Sequence, residues 1–246
     1  MKPSLNIDWN LIRLLAARCE QAYRACTVDD PFMDAQANIT LEGDKIIVAF
    51  RGSSSVKDFL QDVEVWKEDL ITTAQGTARV HNGFLECFDA IDEEVVKQVK
   101  GFLAIAPTAK VYLTGHSLGG ALAMLCALEF SRSMPAATIA AVVTFGQPRV
   151  GNAVFRKLYD AALRDVTFRV VNQNDIVPRT PGVLLGYRHC GQEIFMEPGT
   201  GWGVNPSTTY KIVCDALGLW GAYRNREDVL VREHFITAYQ RRMQLL

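Results

Sequence analysis

LTGHSLGGALAMLC, residues 113–126, sets one serine among three glycines. Val111-Tyr112-Leu113 favours a strand. The small and apolar residues after Gly120 suit a helix. Gly115 through Gly119 reads GxSxG. Roughly one chain in ten of this size would hold that pattern by chance, so its setting decides the reading. A strand running through a GxSxG turn directly into a helix is the setting of a nucleophile elbow. There Ser117 occupies a sharp, strained turn that lifts its Oγ clear of the sheet edge. Gly115 and Gly119 omit side chains where strand and helix pass close together. The helix points its positive end at the serine, and the Leu118 amide faces the place where an oxyanion would form. The alternative is a tight turn with no chemistry.

Outward from this turn, apolar periodicity predicts a helix over 9–26, two strands within 38–50 turning at Glu42-Gly43-Asp44, and a helix over 86–105. It then predicts a strand at 111–114, a helix over 121–132 and a strand at 139–145. IAAVVTF (139–145) is apolar on both faces, as central parallel strands are. A helix at 152–163, strands at 167–171 and 189–196 and a helix over 227–243 complete the series. Alternating strands and helices imply an α/β fold, a mostly parallel central sheet with helices on both faces. The Gly/Pro-rich stretch 197–207 reads as a surface loop, so residues 1–246 are expected to form one domain.

The 246 residues carry a formal net charge of −1 with acids and bases interspersed, which argues against a nucleic-acid partner. No apolar run has transmembrane length. Asp8, Asn10 and Arg13 interrupt the N-terminal segment, so no signal peptide is legible. The expectation is a cytoplasmic protein, one exported by another route, or a chain lacking its leader. Six dispersed cysteines without a CxxC or Cys/His cluster read as free, mostly buried thiols, with some disulfide pairing as the alternative for an exported protein, and not as a zinc site.

A serine nucleophile needs a base and an acid that orients it, here in the order Ser, acid, His. Of the four histidines, that order leaves His189 and His234. His189 lies in a segment that reads as a strand, which suits a structural role. His234 follows the last strand and is the better base. In FRVVNQNDIVPRTP, Asp175 comes at a strand's C-terminal end, where α/β proteins collect catalytic groups. Asp160 and Asp165 compete with it but read as solvated. Arg51-Gly52-Ser53 follows another strand, and the Ser53 amide is the candidate second oxyanion donor. Ser55-Val56-Lys57-Asp58 is a capping-box pattern. Val56, Phe59, Leu60 and Val63 then share one face of a short amphipathic helix. That helix either docks permanently or serves as a lid, residues 54–66, that opens at a lipid surface with Trp66 resting on it.

FRGSSS (50–55), VHNGF (80–84), GHSLGGALA (115–123), TFGQPRVGN (144–152) and NDIVPR (174–179) occur in this order. Together they resemble the class 3 lipases, the filamentous-fungal triacylglycerol lipase family, over roughly residues 38–240. The resemblance implies an α/β-hydrolase fold with a helical lid and hydrolysis of carboxylic esters, mainly acylglycerols. It implies a triad of Ser117, Asp175 and His234 and an oxyanion hole from Ser53 and Leu118. Asp62 on the lid would support Ser53. Pro148, Val177 and Phe235 would line the acyl pocket, and His81 and His116 are motif residues outside the triad. Glu233-His234 stands where the family commonly has Asp-His, and the fungal disulfides are not carried over. No metal or organic cofactor is implied. The expected partner is a lipid ester, touched through the lid. Soluble short-chain or feruloyl-type esterase, phospholipase A1 and a catalytically silent binding module are the competing readings.

Overall fold

A computed structural model of the protein describes residues 7–53, 66–197, 201–210 and 229–245. The expected lid helix, with Asp62, lies outside these residues except for Trp66. The elements are α1 (Trp9–Ala22), β1 (Val28–Asp30), β2 (Ala35–Glu42), β3 (Lys45–Phe50), β4 (Lys67–Thr73), β5 (Gly76–His81), α2 (Asn82–Asp89) and α3 (Asp92–Ile105). They continue with β6 (Lys110–His116), α4 (Leu118–Ser133), β7 (Ile139–Phe145), α5 (Ala153–Leu163), β8 (Thr167–Asn172), β9 (Gln192–Met196), β10 (Trp202–Val204), α6 (Val229–Arg232) and α7 (Ile236–Met243).

Eight strands form one sheet in the order β1-β2-β3-β6-β7-β8-β9-β10. The five from β3 to β9 in that order are parallel, and the outer pairings are antiparallel. Their shared direction delivers Phe50, His116, Phe145 and Asn172 to one edge. Each is followed by a loop that reaches the candidate site.

The core forms because the strand side chains alternate between faces. Ile46, Val48 and Phe50 point to the layer holding α2–α5, with Val111, Leu113 and Val142 beside them. Ile47, Ala141, Val143, Phe145 and Val170 point the other way, against Ile12, Leu15, Ala16 and Cys19 of α1 and Ile236, Tyr239 and Met243 of α7. Full burial of an Ile or Leu side chain contributes about 1.5–3 kcal/mol, so each face is held mainly by these contacts. Polar bonds then set α1 in place. Asp8 caps it by accepting from the Asn10 and Leu11 amides at 3.0 and 3.1 Å. Arg18 forks onto Glu42 at 2.6 and 2.7 Å, and Arg13 donates to the Met243 carbonyl at 2.9 and 3.2 Å.

Three helical expectations are corrected. The helix at 86–105 is two helices that break at Ala90-Ile91, where Asp92, Glu93 and Glu94 start a new first turn favoured by its dipole. The apolar spacing continues through the break, with Phe88, Ile91, Val95 and Val99 all buried. The helix at 9–26 stops at Ala22, with Tyr23 as its C-cap. The segment expected to be helical over 227–243 is interrupted between α6 and α7, and His234 lies in that interruption. The expected strand at 189–196 begins only at Gln192 and leaves His189 in the preceding loop. The hairpin β4–β5 was not legible in the sequence.

Glycine contrasts test the packing. A Cβ on Gly115 would stand 2.1 Å from the Gly119 carbonyl oxygen, whereas one on Gly101 meets nothing within 4 Å. Gly115→Ala should cost about 3 kcal/mol or more in urea unfolding through overpacking. Gly101→Ala, within α3, should stabilise by about 0.5–1 kcal/mol.

Candidate active site

At Ser117 the chain leaves β6 and enters α4 in one step, with φ +58° and ψ −128°. For a residue with a side chain such backbone geometry costs about 1–3 kcal/mol. Neighbours hold it there. The Ser117 amide donates to the Phe145 carbonyl at 2.9 Å, and its own carbonyl accepts from the Gly120 amide at 2.9 Å. Gly119 passes β3 so closely that a Cβ would lie 2.2 Å from the Phe50 carbonyl oxygen. A serine at a helix N-cap ordinarily turns its hydroxyl onto the first free amides. Ser117 makes no capping bond, so the helix does not engage its Oγ. Leu118 opens the 16-residue α4, where backbone amides lack partners within the helix.

Arg51-Gly52-Ser53 runs directly past this turn. A Cβ on Gly52 would lie 3.1 Å from Ser117 Cβ, 2.6 Å from the His116 carbonyl oxygen and 2.2 Å from the Tyr23 hydroxyl. Only glycine fits between them. The strand end is anchored by the Arg51 amide donating to the Gln36 carbonyl at 2.9 Å and by the Arg51 guanidinium on Gln36 and Asp34.

Asp175 and His234 meet, both fully buried. His234 Nδ1 lies 2.8 and 3.0 Å from the two carboxylate oxygens of Asp175. The Val177 amide donates to Asp175 Oδ1 at 2.9 Å, and the Tyr239 hydroxyl donates to Oδ2 at 2.6 Å. Burial, followed by the Asp175 charge, pushes the Tyr239 phenol well above its ordinary pKa, so it remains a donor. A carboxylate can only accept. His234 Nδ1 is therefore the donor of this pair, which leaves Nε2 turned away from the carboxylate. Nε2 is buried and makes no hydrogen bond among the described residues. Gly146, at φ +59°, lies beneath the pair. A Cβ there would approach Asp175 Oδ2 to 2.8 Å and the His234 ring to 2.9 Å.

Asn172, at the end of β8, donates through Nδ2 to the Glu233 carbonyl at 2.9 Å and to its carboxylate at 2.7 Å. Glu233 thus holds its own loop to the sheet. His116 stacks near His234, ring centres 4.6 Å apart. Its Nε2 lies 2.6 Å from the His234 carbonyl oxygen, and its Nδ1 lies 2.8 Å from the Tyr23 hydroxyl. Burial, then the neighbouring His234, pushes its imidazole well below the usual value of 6.5.

The remaining candidates separate. His189 donates from Nε2 to the Pro178 carbonyl at 2.7 Å, and His81 stacks on Phe84 at 4.1 Å. Asp160 is not merely solvated, since it accepts from the Gly191 amide at 2.7 Å. Ser53 and Phe235 line a cleft of about 310 Å³ with Tyr23, His116, Ile236 and Thr237. Pro148 and Val177 are buried, and Val177 reaches Asp175 through its amide. Tyr239 and Tyr23 also belong to the site, and sequence reasoning missed both. Their hydroxyl partners, Asp175 and His116, are distant in sequence, so no local pattern indicates them.

A parallel sheet with a serine at a strained strand-to-helix turn, and a buried His–Asp pair at the same edge, defines an α/β-hydrolase. Residues 47–185 match the lipase (class 3) family, and the chain belongs to that family. It is 35% identical over 153 residues to a lipase of Rhizomucor miehei, covering 61% of this chain and 41% of that protein. It is 30% identical over 161 residues to the secreted mono- and diacylglycerol lipase LIP1 of Malassezia globosa, covering 63% and 52%. It is 30% identical over 159 residues to the chloroplastic phospholipase A(1) DAD1 of Arabidopsis thaliana, covering 58% and 35%. The matched stretch thus spans about half or less of each relative's length. The crystal structure of a lipase from Rhizopus microsporus var. chinensis superposes with a TM-score of 0.75 at 25% identity, covering 83% of this chain and 80% of that one. The Rhizomucor miehei triacylglyceride lipase gives 0.70 at 25%, covering 78% and 82%.

Tyr239→Phe removes the donor to Asp175 and the acceptor of the Asn172 amide, 3.1 Å away. Leaving buried polar groups unpaired should cost about 1–3 kcal/mol in denaturant unfolding. His116 predicts a pH effect. Its pKa is lower folded than unfolded, so below the usual 6.5 the unfolded chain binds a proton that the folded chain does not. Its contribution therefore destabilises the fold as pH falls below that value and is absent above it. His116→Gln should flatten the dependence of unfolding free energy on pH between about 6 and 5, by up to about 1.4 kcal/mol per pH unit.

Proposed function

We propose that the protein is a serine hydrolase that cleaves carboxylic esters of lipids, with acylglycerols as the preferred class. The reading rests above all on the buried Asp175–His234 pair, whose Nε2 has no hydrogen bond among the described residues. The serine at the neighbouring turn leaves its helix uncapped.

In this mechanism Ser117 Oγ attacks the ester carbonyl while His234 Nε2 takes its proton. Asp175 holds the Nδ1–H tautomer and stabilises the imidazolium, and the Tyr239 and Val177 donors keep the carboxylate aimed. The amides of Ser53 and Leu118 bind the tetrahedral oxyanion. Loss of one such donor typically costs about 3 kcal/mol of transition-state stabilisation. His234 then protonates the leaving alcohol, and water attacks the acyl-enzyme by the reverse proton path. Asp62 would steady Ser53 from the lid at 54–66. Phe235, half-exposed in the cleft that Ser53 also lines, is proposed to meet the acyl chain, with Pro148 and Val177 as the further proposed pocket residues. The named activities of relatives, a triacylglyceride lipase, a mono- and diacylglycerol lipase and a phospholipase A(1), support lipid esters as the class. No helix among the described residues is long and apolar enough to cross a membrane.

Initial rates on dissolved short-chain and dispersed long-chain esters test the proposal. A rise in rate once long-chain substrate passes its solubility limit is expected. Ser117→Ala should lower kcat by about 10,000-fold or more without unfolding the protein. Saturation on short esters with no interfacial rise would assign an esterase. Wild-type turnover by Ser117→Ala would exclude Ser117 as the nucleophile.

A further inference from the structure

The proposed base is held at two points. Asp175 pins its ring, and His116 holds its backbone. A carbonyl oxygen can only accept, so the 2.6 Å contact between His116 Nε2 and the His234 carbonyl places the His116 proton on Nε2. His116 Nδ1 is then an acceptor, and the Tyr23 hydroxyl donates to it at 2.8 Å. Every donor in the chain Tyr23, His116, His234 backbone has one acceptor. The direction follows from the chemistry of the end group.

The ends of this chain matter. Tyr23 terminates α1, and its hydroxyl lies against Gly52 so closely that no Cβ could be inserted. Gly52 precedes Ser53, the proposed oxyanion donor. His116 is bonded directly to Ser117. One hydrogen-bonded path therefore touches the oxyanion loop, the residue beside the nucleophile and the backbone of the base. Tyr239 packs edge-on to His116, ring centres 6.2 Å apart, while donating to Asp175.

We propose that Tyr23 and His116 are positioning residues that set the base and the oxyanion loop as one unit relative to Ser117. This inference rests on the serine-hydrolase reading above. Neither residue exchanges a proton with the substrate. Their effect is on where His234 Nε2 stands, and displacements on the order of 1 Å at such a group reduce turnover by about a hundredfold. Tyr23 and His116 also line the cleft beside Ser53, and because Tyr23→Phe keeps the ring that forms that wall, loss of the path should appear in kcat and not in KM.

The test uses the full chain and p-nitrophenyl butyrate kept below its solubility limit. Tyr23→Phe preserves the ring and removes only the donor. It should lower kcat by about tenfold with KM within about twofold. His116→Gln can still present an N–H to the His234 carbonyl, whereas His116→Leu cannot, so Gln should retain at least about fivefold more kcat than Leu. Tyr23→Phe combined with His116→Leu should be no slower than His116→Leu alone, because both break one path. Thermal unfolding of each variant separates misplacement from loss of fold, and Tyr23→Phe carries the test if His116→Leu does not fold. Full kcat in Tyr23→Phe, equal kcat for Gln and Leu, or multiplicative losses in the double variant would each overturn the inference. Ser117→Ala, run alongside, distinguishes the two failures. If it is active, the hydrolase reading falls. If it is inactive while Tyr23→Phe turns over normally, only the positioning role falls.

Discussion

The single-residue passage from β6 into α4 is the constraint around which the molecule is arranged. Ser117 must adopt a backbone conformation that side chains disfavour, with φ +58°. It stays there because strand and helix are pressed together on either side of it. Gly115 against Gly119, and Gly119 against Phe50, leave no room for even a methyl group. The close approach draws β3, β6 and α4 into one block. Parallel pairing then fixes where the neighbouring strands end. The loops after Phe50, Phe145 and Asn172 leave from the same end of the sheet as the serine because β3 and β7 flank β6 in parallel and β8 follows β7 in the same direction.

Electrostatics completes the arrangement. A fully buried carboxylate is costly unless every lone pair that faces the protein is answered. Asp175 is answered by a backbone amide, a phenol and an imidazole. Each donor comes from a different stretch of chain, so this group cannot be satisfied until β8, the turn after it, the His234 loop and α7 are all in place. The candidate chemistry and the local fold are thus set by the same set of bonds.

The elements that repeat a strong apolar period were legible in the sequence. IAAVVTF reads as a buried parallel strand and is one, and the turn around Ser117 announces itself through its glycines. The family resemblance placed the chain correctly, and Asp175 and His234 do meet. What was not legible has a common cause. Periodicity records which face is apolar, not whether the backbone stays continuous. Hence one helix was expected across Ala90-Ile91 and another across His234, where the stripe continues but the helix does not. Aromatic residues on such stripes conceal polar tips. Tyr23 and Tyr239 pack as apolar residues by position, yet each places a hydroxyl on a partner far away in sequence. The β4–β5 hairpin, mostly polar and partly exposed, offers too little alternation to be recognised.

The sheet divides the candidate machinery between its two faces. The serine turn is packed by the larger layer of α2–α5. Among the described residues, Tyr239 lies in the other layer, formed by α1 and α7, with Tyr23 as the C-cap of α1 and His234 just ahead of α7. The alignment of the proposed base with the proposed nucleophile therefore depends on both layers staying packed on one sheet.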